Sequence, residues 1–148
     1  MRADDRHPGA VPEIQLLAQL LSQAERRVSR ELARILEREQ ATIEEWRALA
    51  LLSDGDSHTM SEIAAYTMLP PPTLTRLIDR MVADNLAYRS PDPHDRRRVL
   101  ARVTARGRSR HRRLVQRLER DGQETLTGAA GDDLHQLAVL LSERLSGG

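Results

Sequence analysis

The segment "LPPPTLTRLIDR", residues 69–80, places Thr73, Thr75, Arg76 and Arg80 directly after three prolines. An arginine can donate two bonds to the paired major-groove acceptors of guanine, and a threonine can bond a base edge or touch a thymine methyl. Farther along, Arg96, Arg97 and Arg98 follow "PDPHD". Consecutive guanidinium groups on a turn suit a narrow minor groove, where negative potential is concentrated, and they suit phosphates. These residue types and spacings favour recognition of nucleic acid over bond-making.

Reaction chemistry is thinly represented. The chain has 148 residues and no cysteine, which excludes disulfides, thiolate metal sites and cysteine nucleophiles. His58, His94, His111 and His135 are scattered, and no pair of histidines has ligand spacing, so no metal is expected. No G-x-S-x-G, P-loop or dinucleotide fingerprint is present, so neither a cofactor nor an enzyme is expected. The net charge is only +1, yet residues 70–120 carry 14 Arg against 5 Asp or Glu, while residues 1–69 carry 8 Arg against 12. A positive block of that kind is the electrostatic footprint of a polyanion partner. No apolar run approaches the ~18 residues a bilayer span requires. "MRADDRHPGAVPE" lacks the apolar stretch of a secretion signal. The reading is therefore cytoplasmic, with no membrane partner.

The elements that must position these side chains follow from periodicity. Residues 1–11 read as a polar tail, and residues 12–148 as a single domain. Pro12 suits the first position of a helix running to about residue 39. Its stripe of Leu16, Leu17, Leu20, Leu21, Ala24, Val28, Leu32 and Ile35 is more apolar face than one small domain needs. Thr42 with Glu45, and Thr59 with Glu62, have the spacing of capping boxes, so each opens a helix; "SDGDSH" breaks the chain between them. A proline pushes the residue before it out of the α region. Leu69, Pro70 and Pro71 should thus be extended and the next helix should begin at Pro72. That helix buries Leu74, Leu77, Ile78, Met81 and Val82, and ends at Asn85, a residue that tolerates the left-handed conformation. "LAYRS" and "RVLARV" read as a hairpin around the turn "PDPHDRR". Thr104 caps a long helix bearing His111, Leu114, Val115 and Leu118. After "TGAAGDD" a last helix carries Leu134, Leu137, Ala138, Leu141 and Leu145. The fold class is mainly α with a small β-hairpin. A helix-turn-helix lobe with a wing, about 42–103, sits on terminal helices about 12–39 and 104–145. In such a layout the second helix enters the major groove with its early residues toward the bases.

Three motifs in order resemble the MarR family of bacterial transcription regulators. They are Thr73, Thr75, Arg76, Asp79 and Met81; then Asp92, Asp95 and Arg97; then Val99, Thr104 and Gly107. The resemblance covers roughly residues 14–145. It implies a winged helix-turn-helix homodimer joined through the terminal helices, reading a pseudo-palindromic operator in double-stranded DNA. It implies a repressor released by a small aromatic or phenolic ligand; the alternatives are an effector-independent repressor, or a helical small-molecule-binding protein or enzyme without DNA binding. By that analogy Arg47, Trp46, Tyr66 and His111 are candidate effector contacts; core packing is the other reading of Trp46 and Tyr66. Two positions depart from the family pattern. Asn85 stands where glycine is common. Pro70 stands where an acidic residue often opens the recognition helix and pairs with the wing arginine numbered 97 here. That leaves Asp95, Asp92 or a DNA phosphate as partners of Arg97.

Overall fold

The computed structural model describes residues 13–126, 136 and 138–143. The polar tail, Pro12, the "TGAAGDD" break and much of the last leucine-rich segment lie outside those residues.

Helix α1, Glu13–Glu37, ends in a left-handed residue, Gln40. The Gln40 N–H reaches the Glu37 carbonyl at 2.9 Å and the Ala41 N–H reaches Leu36 at 3.0 Å. These paired bonds satisfy carbonyls that a helix end otherwise leaves open. Helix α2, Ile43–Leu52, is opened by the Thr42 side chain, which accepts the Glu45 N–H at 3.1 Å. Only half of the expected capping box forms there. The Glu45 carboxylate instead accepts from Arg110 Nε at 3.0 Å, so an ion pair to a distant helix outcompetes the local bond. At Thr59 and Glu62 both halves are present, opening helix α3, Met60–Thr67.

Helix α4 spans Pro71–Ala83, one residue earlier than the pre-proline rule suggests. Pro70 is the extended cap, and its carbonyl accepts the Leu74 N–H at 3.0 Å. Pro71 enters the helix because its ring already fixes φ near the helical value and a first-turn amide has no intrahelical acceptor to lose. The far end closes on Asn85 at φ 57°, with Asn85 N–H to Val82 O at 3.0 Å and Leu86 N–H to Met81 O at 2.8 Å. Asparagine thus does the backbone work of glycine.

The hairpin forms as read, with strands β2, Ala87–Pro91, and β3, Val99–Val103. A two-residue strand not anticipated from the sequence, β1, His58–Thr59, pairs antiparallel with the other side of β3, giving the order β1-β3-β2. Helix α5, Ala105–Leu126, then runs back along α1. One core joins these elements, including Leu36, Leu49, Leu52, Ile63, Leu74, Leu77, Ile78, Met81 and Leu114. Trp46 packs against its edge. Tyr66 is 52% exposed, so core packing does not account for it, and Val82 also faces outward. Outside the core, Ile14, Leu16, Leu17, Leu20 and Leu21 of α1 stand exposed, as do Val139, Leu140 and Leu141. Among the described residues no helix is long and apolar enough to cross a membrane.

The third sequence motif is a close approach of backbones. Thr104 Oγ1 donates to the Asn85 carbonyl at 2.7 Å and accepts the Gly107 N–H at 2.9 Å. A methyl on Gly107 would overlap the Leu86 carbonyl oxygen and stand 2.7 Å from Val103 Cγ2. Backbone cannot yield as a flexible side chain can. Gly107→Ala should therefore cost about 1–3 kcal/mol, the range of overpacked cores, despite alanine's better helix propensity. Urea unfolding measures it, and a variant as stable as the parent would contradict the packing described.

Candidate nucleic-acid interface

Helix α3 is locked at its end before α4 begins. Thr67 is buried, with its hydroxyl donating to the Ile63 carbonyl at 2.7 Å. Met68 turns the chain in a left-handed conformation, φ 57° and ψ 32°, and the Leu69 N–H closes on the Ala64 carbonyl at 3.2 Å. Met68, Leu69 and Pro70 form the turn between the two helices. The buried row of α4 fixes its outward face, which presents Thr73, Thr75, Arg76, Asp79 and Arg80. Thr75 donates its hydroxyl proton to the Pro71 carbonyl at 3.0 Å. That oxygen can still accept from a base amino group. Arg76 and Arg80 have no ion pair among the described residues. Asp79 does: its Oδ1 lies 2.7 Å from Arg89 Nη2 on β2. This pair ties the outward face of α4 to the wing.

The wing turn is held by a buried carboxylate. Asp92 is 7% exposed. Its Oδ1 accepts the His94 N–H at 2.8 Å, and its own N–H reaches the Arg98 carbonyl at 3.0 Å. Asp95 accepts the Arg97 N–H through its side chain at 3.0 Å and the Arg98 N–H through its carbonyl at 2.9 Å. Both aspartates are thus spent on the backbone of the turn. Arg96 and Arg97 are left exposed at its tip, with no ion pair among the described residues. Arg98 Nε lies 3.8 Å from Asp92 Oδ2.

At the root of α3, the Thr59 backbone N–H and then its hydroxyl hold the Glu62 carboxyl below the usual carboxylate range, aided by His58 and Arg98. His58 Nε2 lies 2.8 Å from Asp54 Oδ2, and Nδ1 lies 3.8 Å from Glu62. No group of three or more potential ligands able to hold a metal exists among the described residues.

The family model of the MarR family matches residues 40–98. Over those residues, which hold α2 to α4 and most of the wing, the chain is similar to the MarR family, and its fold there is a winged helix-turn-helix. It is 25% identical over 109 residues to the homoprotocatechuate degradative operon repressor of Escherichia coli, covering 74% of each chain. Its fold superposes with TM-score 0.73 and 25% identity on a MarR variant from Escherichia coli complexed with operator DNA, covering 90% of this chain and 96% of that one. BpsR of Bordetella bronchiseptica, whose DNA binding is regulated by 6-hydroxynicotinic acid, superposes with TM-score 0.72 and 25% identity, covering 87% and 98%.

Within this lobe, the presence of Pro70 at the start of α4 has a visible outcome. Neither Asp92 nor Asp95 takes the Arg97 guanidinium: both hold the turn's backbone, and Asp92 lies nearer to Arg98. The Asp79–Arg89 strut and the Asp92 cap were absent from the sequence reading as positioning residues. Asp79 and Asp92 belonged to the motifs, but only the folded chain shows what each carboxylate faces. The four effector candidates are not gathered in one described cavity. Trp46 keeps its indole Nε1 buried without a partner, Arg47 and His111 are half-buried, and Tyr66 lies outward on α3. Burial pulls the His111 pKa down. A cavity of about 230 Å³ does lie at the start of α5, but Gln40, Glu45, Asp84, Arg106, Arg110 and Arg113 line it.

Asp92→Ala removes the wing cap. The Asp92 side chain accepts a backbone bond as a charged group, so its loss should cost about 1.5–3 kcal/mol where the wing unfolds locally. Hydrogen exchange should accelerate at the amides of His94 and Arg98 while those of α5 keep their protection. Unchanged protection at both wing amides would refute the assignment.

Proposed function

We propose that this chain is a transcriptional repressor that binds a pseudo-palindromic operator as a homodimer and releases it when a small aromatic acid binds. The observation that carries the reading is the pairing of two unspent arginine sets. Arg76 and Arg80 stand on the outward face of α4, and Arg96 and Arg97 stand at the tip of the wing strapped to that helix by Asp79 and Arg89. Thr73 and Thr75 supply hydroxyls to base edges, and Arg98 completes the wing contact. A superposing relative carries operator DNA, which supports the same use of this lobe. Selection of bound duplexes from random DNA is the direct test; a chain that enriches no sequence sinks the reading.

On a selected site, Arg76→Ala and Arg96→Ala should differ. Loss of a base contact on α4 should cost ~1–3 kcal/mol and relax base preference. Loss of the wing arginine should weaken all sequences alike and lower the slope of log affinity against log salt by about one. Equal, sequence-independent losses for both would contradict these roles.

The exposed stripe from Ile14 to Leu21, with Val139, Leu140 and Leu141, supports a dimer through α1 and the C-terminal segment, because water-exposed leucine rows are costly. A two-fold dimer sets two recognition helices about one DNA turn apart. Sedimentation at micromolar concentration should give a dimer, and Leu17→Glu with Leu20→Glu should give a monomer. A stable parental monomer would refute it.

The effector part draws on the relatives. One represses an operon named for an aromatic acid, and another is regulated by 6-hydroxynicotinic acid. In this chain Arg47 is the candidate cationic contact, and Trp46, Tyr66 and His111, whose imidazole burial keeps neutral, are the other candidates. Release by tenfold needs only ~1.4 kcal/mol of coupling, and linkage makes that coupling reciprocal. Calorimetry of 6-hydroxynicotinic acid should show tenfold weaker binding in the presence of operator DNA. Equal affinity with and without DNA would rule out release by that compound.

A further inference from the structure

The first turn of α4 has lost most of its hydrogen-bonding capacity. A helix opens with four amides that lack intrahelical acceptors, and these ordinarily offer donors outward. Here Pro70, Pro71 and Pro72 occupy the cap and the first two helical positions, and no side chain caps them. Proline has no N–H, so the Thr73 amide alone remains. The Thr75 hydroxyl proton is already spent on the Pro71 carbonyl at 3.0 Å.

The surface around that turn is apolar and open. Pro70, Pro71 and Pro72 are exposed, Met68 is 73% exposed and Tyr66 is 52% exposed. Immediately beyond, Arg76 and Arg80 carry unspent charge toward the same outward side of the helix. An uncovered apolar edge bordered by unpaired arginines fits a partner that is anionic overall yet presents an apolar group locally. The DNA major groove presents one such group, the C5-methyl of thymine.

We infer that the Pro71–Pro72 edge of α4, extended by Met68, reads a thymine methyl in each half-site. This rests on α4 being the recognition helix, and it adds a base preference that the arginines cannot supply. Donors at this position would select a purine or a phosphate. A donor-free edge rejects acceptors left unpaired and rewards the methyl. The edge therefore adds a preference for thymine to the base preference that Arg76 supplies, while the wing supplies mainly affinity.

Uracil is thymine without that methyl, which makes the test direct. Sites are selected from random duplexes with the full chain; such a library contains no methylated cytosine, so thymine is the one source of the group. Each thymine of the selected site is then replaced singly by 2′-deoxyuridine and affinity is measured. Burial of one methyl is worth a factor of roughly three to five in affinity. A loss of that size is expected at one symmetric pair of positions and nowhere else. The variant Pro71→Ser with Pro72→Ser should melt normally and bind the thymine and uracil duplexes equally; should it not fold, Pro72→Ser alone serves the same comparison. No sensitive position, a loss spread over every thymine, or sensitivity retained in the folded variant would each overturn the inference. Failure to enrich any sequence at the selection step would overturn the DNA-binding reading and this one together, and so is distinguishable from failure of the methyl contact alone.

Discussion

The carbonyls of Asn85 and Leu86 are where α4, the hairpin and α5 are fastened to one another. The Thr104 N–H reaches Leu86 O at 3.0 Å, while the Thr104 hydroxyl takes Asn85 O. Those two carbonyls are available only because Asn85 turns left-handed and reverses the chain at the end of α4. Gly107 then lets α5 lie directly on them. A larger residue at 107 or a β-branched one at 85 would part the lobe from the frame. The Asp79–Arg89 pair then ties the outward face of α4 to the wing beyond this junction.

Charge is divided by the fold into two kinds of work. Arg89, Arg110 and Arg117 meet Asp79, Glu45 and Glu39 at 2.7, 3.0 and 3.0 Å. Arg110 also bonds the Gln40 carbonyl at 3.0 Å, holding the left-handed end of α1 against α5. Partly exposed pairs of this type contribute only ~0–1 kcal/mol each. Their effect is chiefly to set register between helices. Arg76, Arg80, Arg96 and Arg97 have no such partner among the described residues and lie on one helix face or one turn, while Arg106, Arg108 and Arg113, also without an ion pair there, lie on α5. A count of 14 arginines in the basic block cannot separate these roles.

Legibility followed the range of the forces involved. The cap at Thr59, the left-handed Asn85, the hairpin and the buried row of α4 are settled within a few residues, and all could be read from the chain. The start of α4 was misplaced by one residue because two local rules conflict at Pro71: its own ring favours the helix, while the next proline disfavours it. The carboxylate of Glu45 was assigned to a cap because Arg110, 65 positions away in the chain, cannot be seen from the motif. Strand β1 has two residues and no periodicity to detect; its existence depends on the free edge of β3. Tyr66 lies on a helix whose apolar spacing suggested burial, but α3 is short and presents only one face to the core. The exposure of Thr73, Thr75, Arg76 and Arg80 on one face of α4 was legible, since the buried row fixes the opposite face. The effector candidates were chosen by residue type, and no local pattern specifies a cavity between helices.

The contact of Gly107 with Leu86 also has a mechanical consequence. With no space for even a methyl, the start of α5 packs directly on the end of α4, and a lobe held this closely would move with α5 as one arm. At 22 residues, α5 is about 33 Å long at 1.5 Å per residue. A tilt of about 5° at its far end, of the size that a small repacking between helices produces, would sweep the wing through roughly 3 Å. That is nearly the rise of one base pair. An arm of this length would convert a change too small to notice in a helix interface into a displacement of the wing on the scale of one base pair.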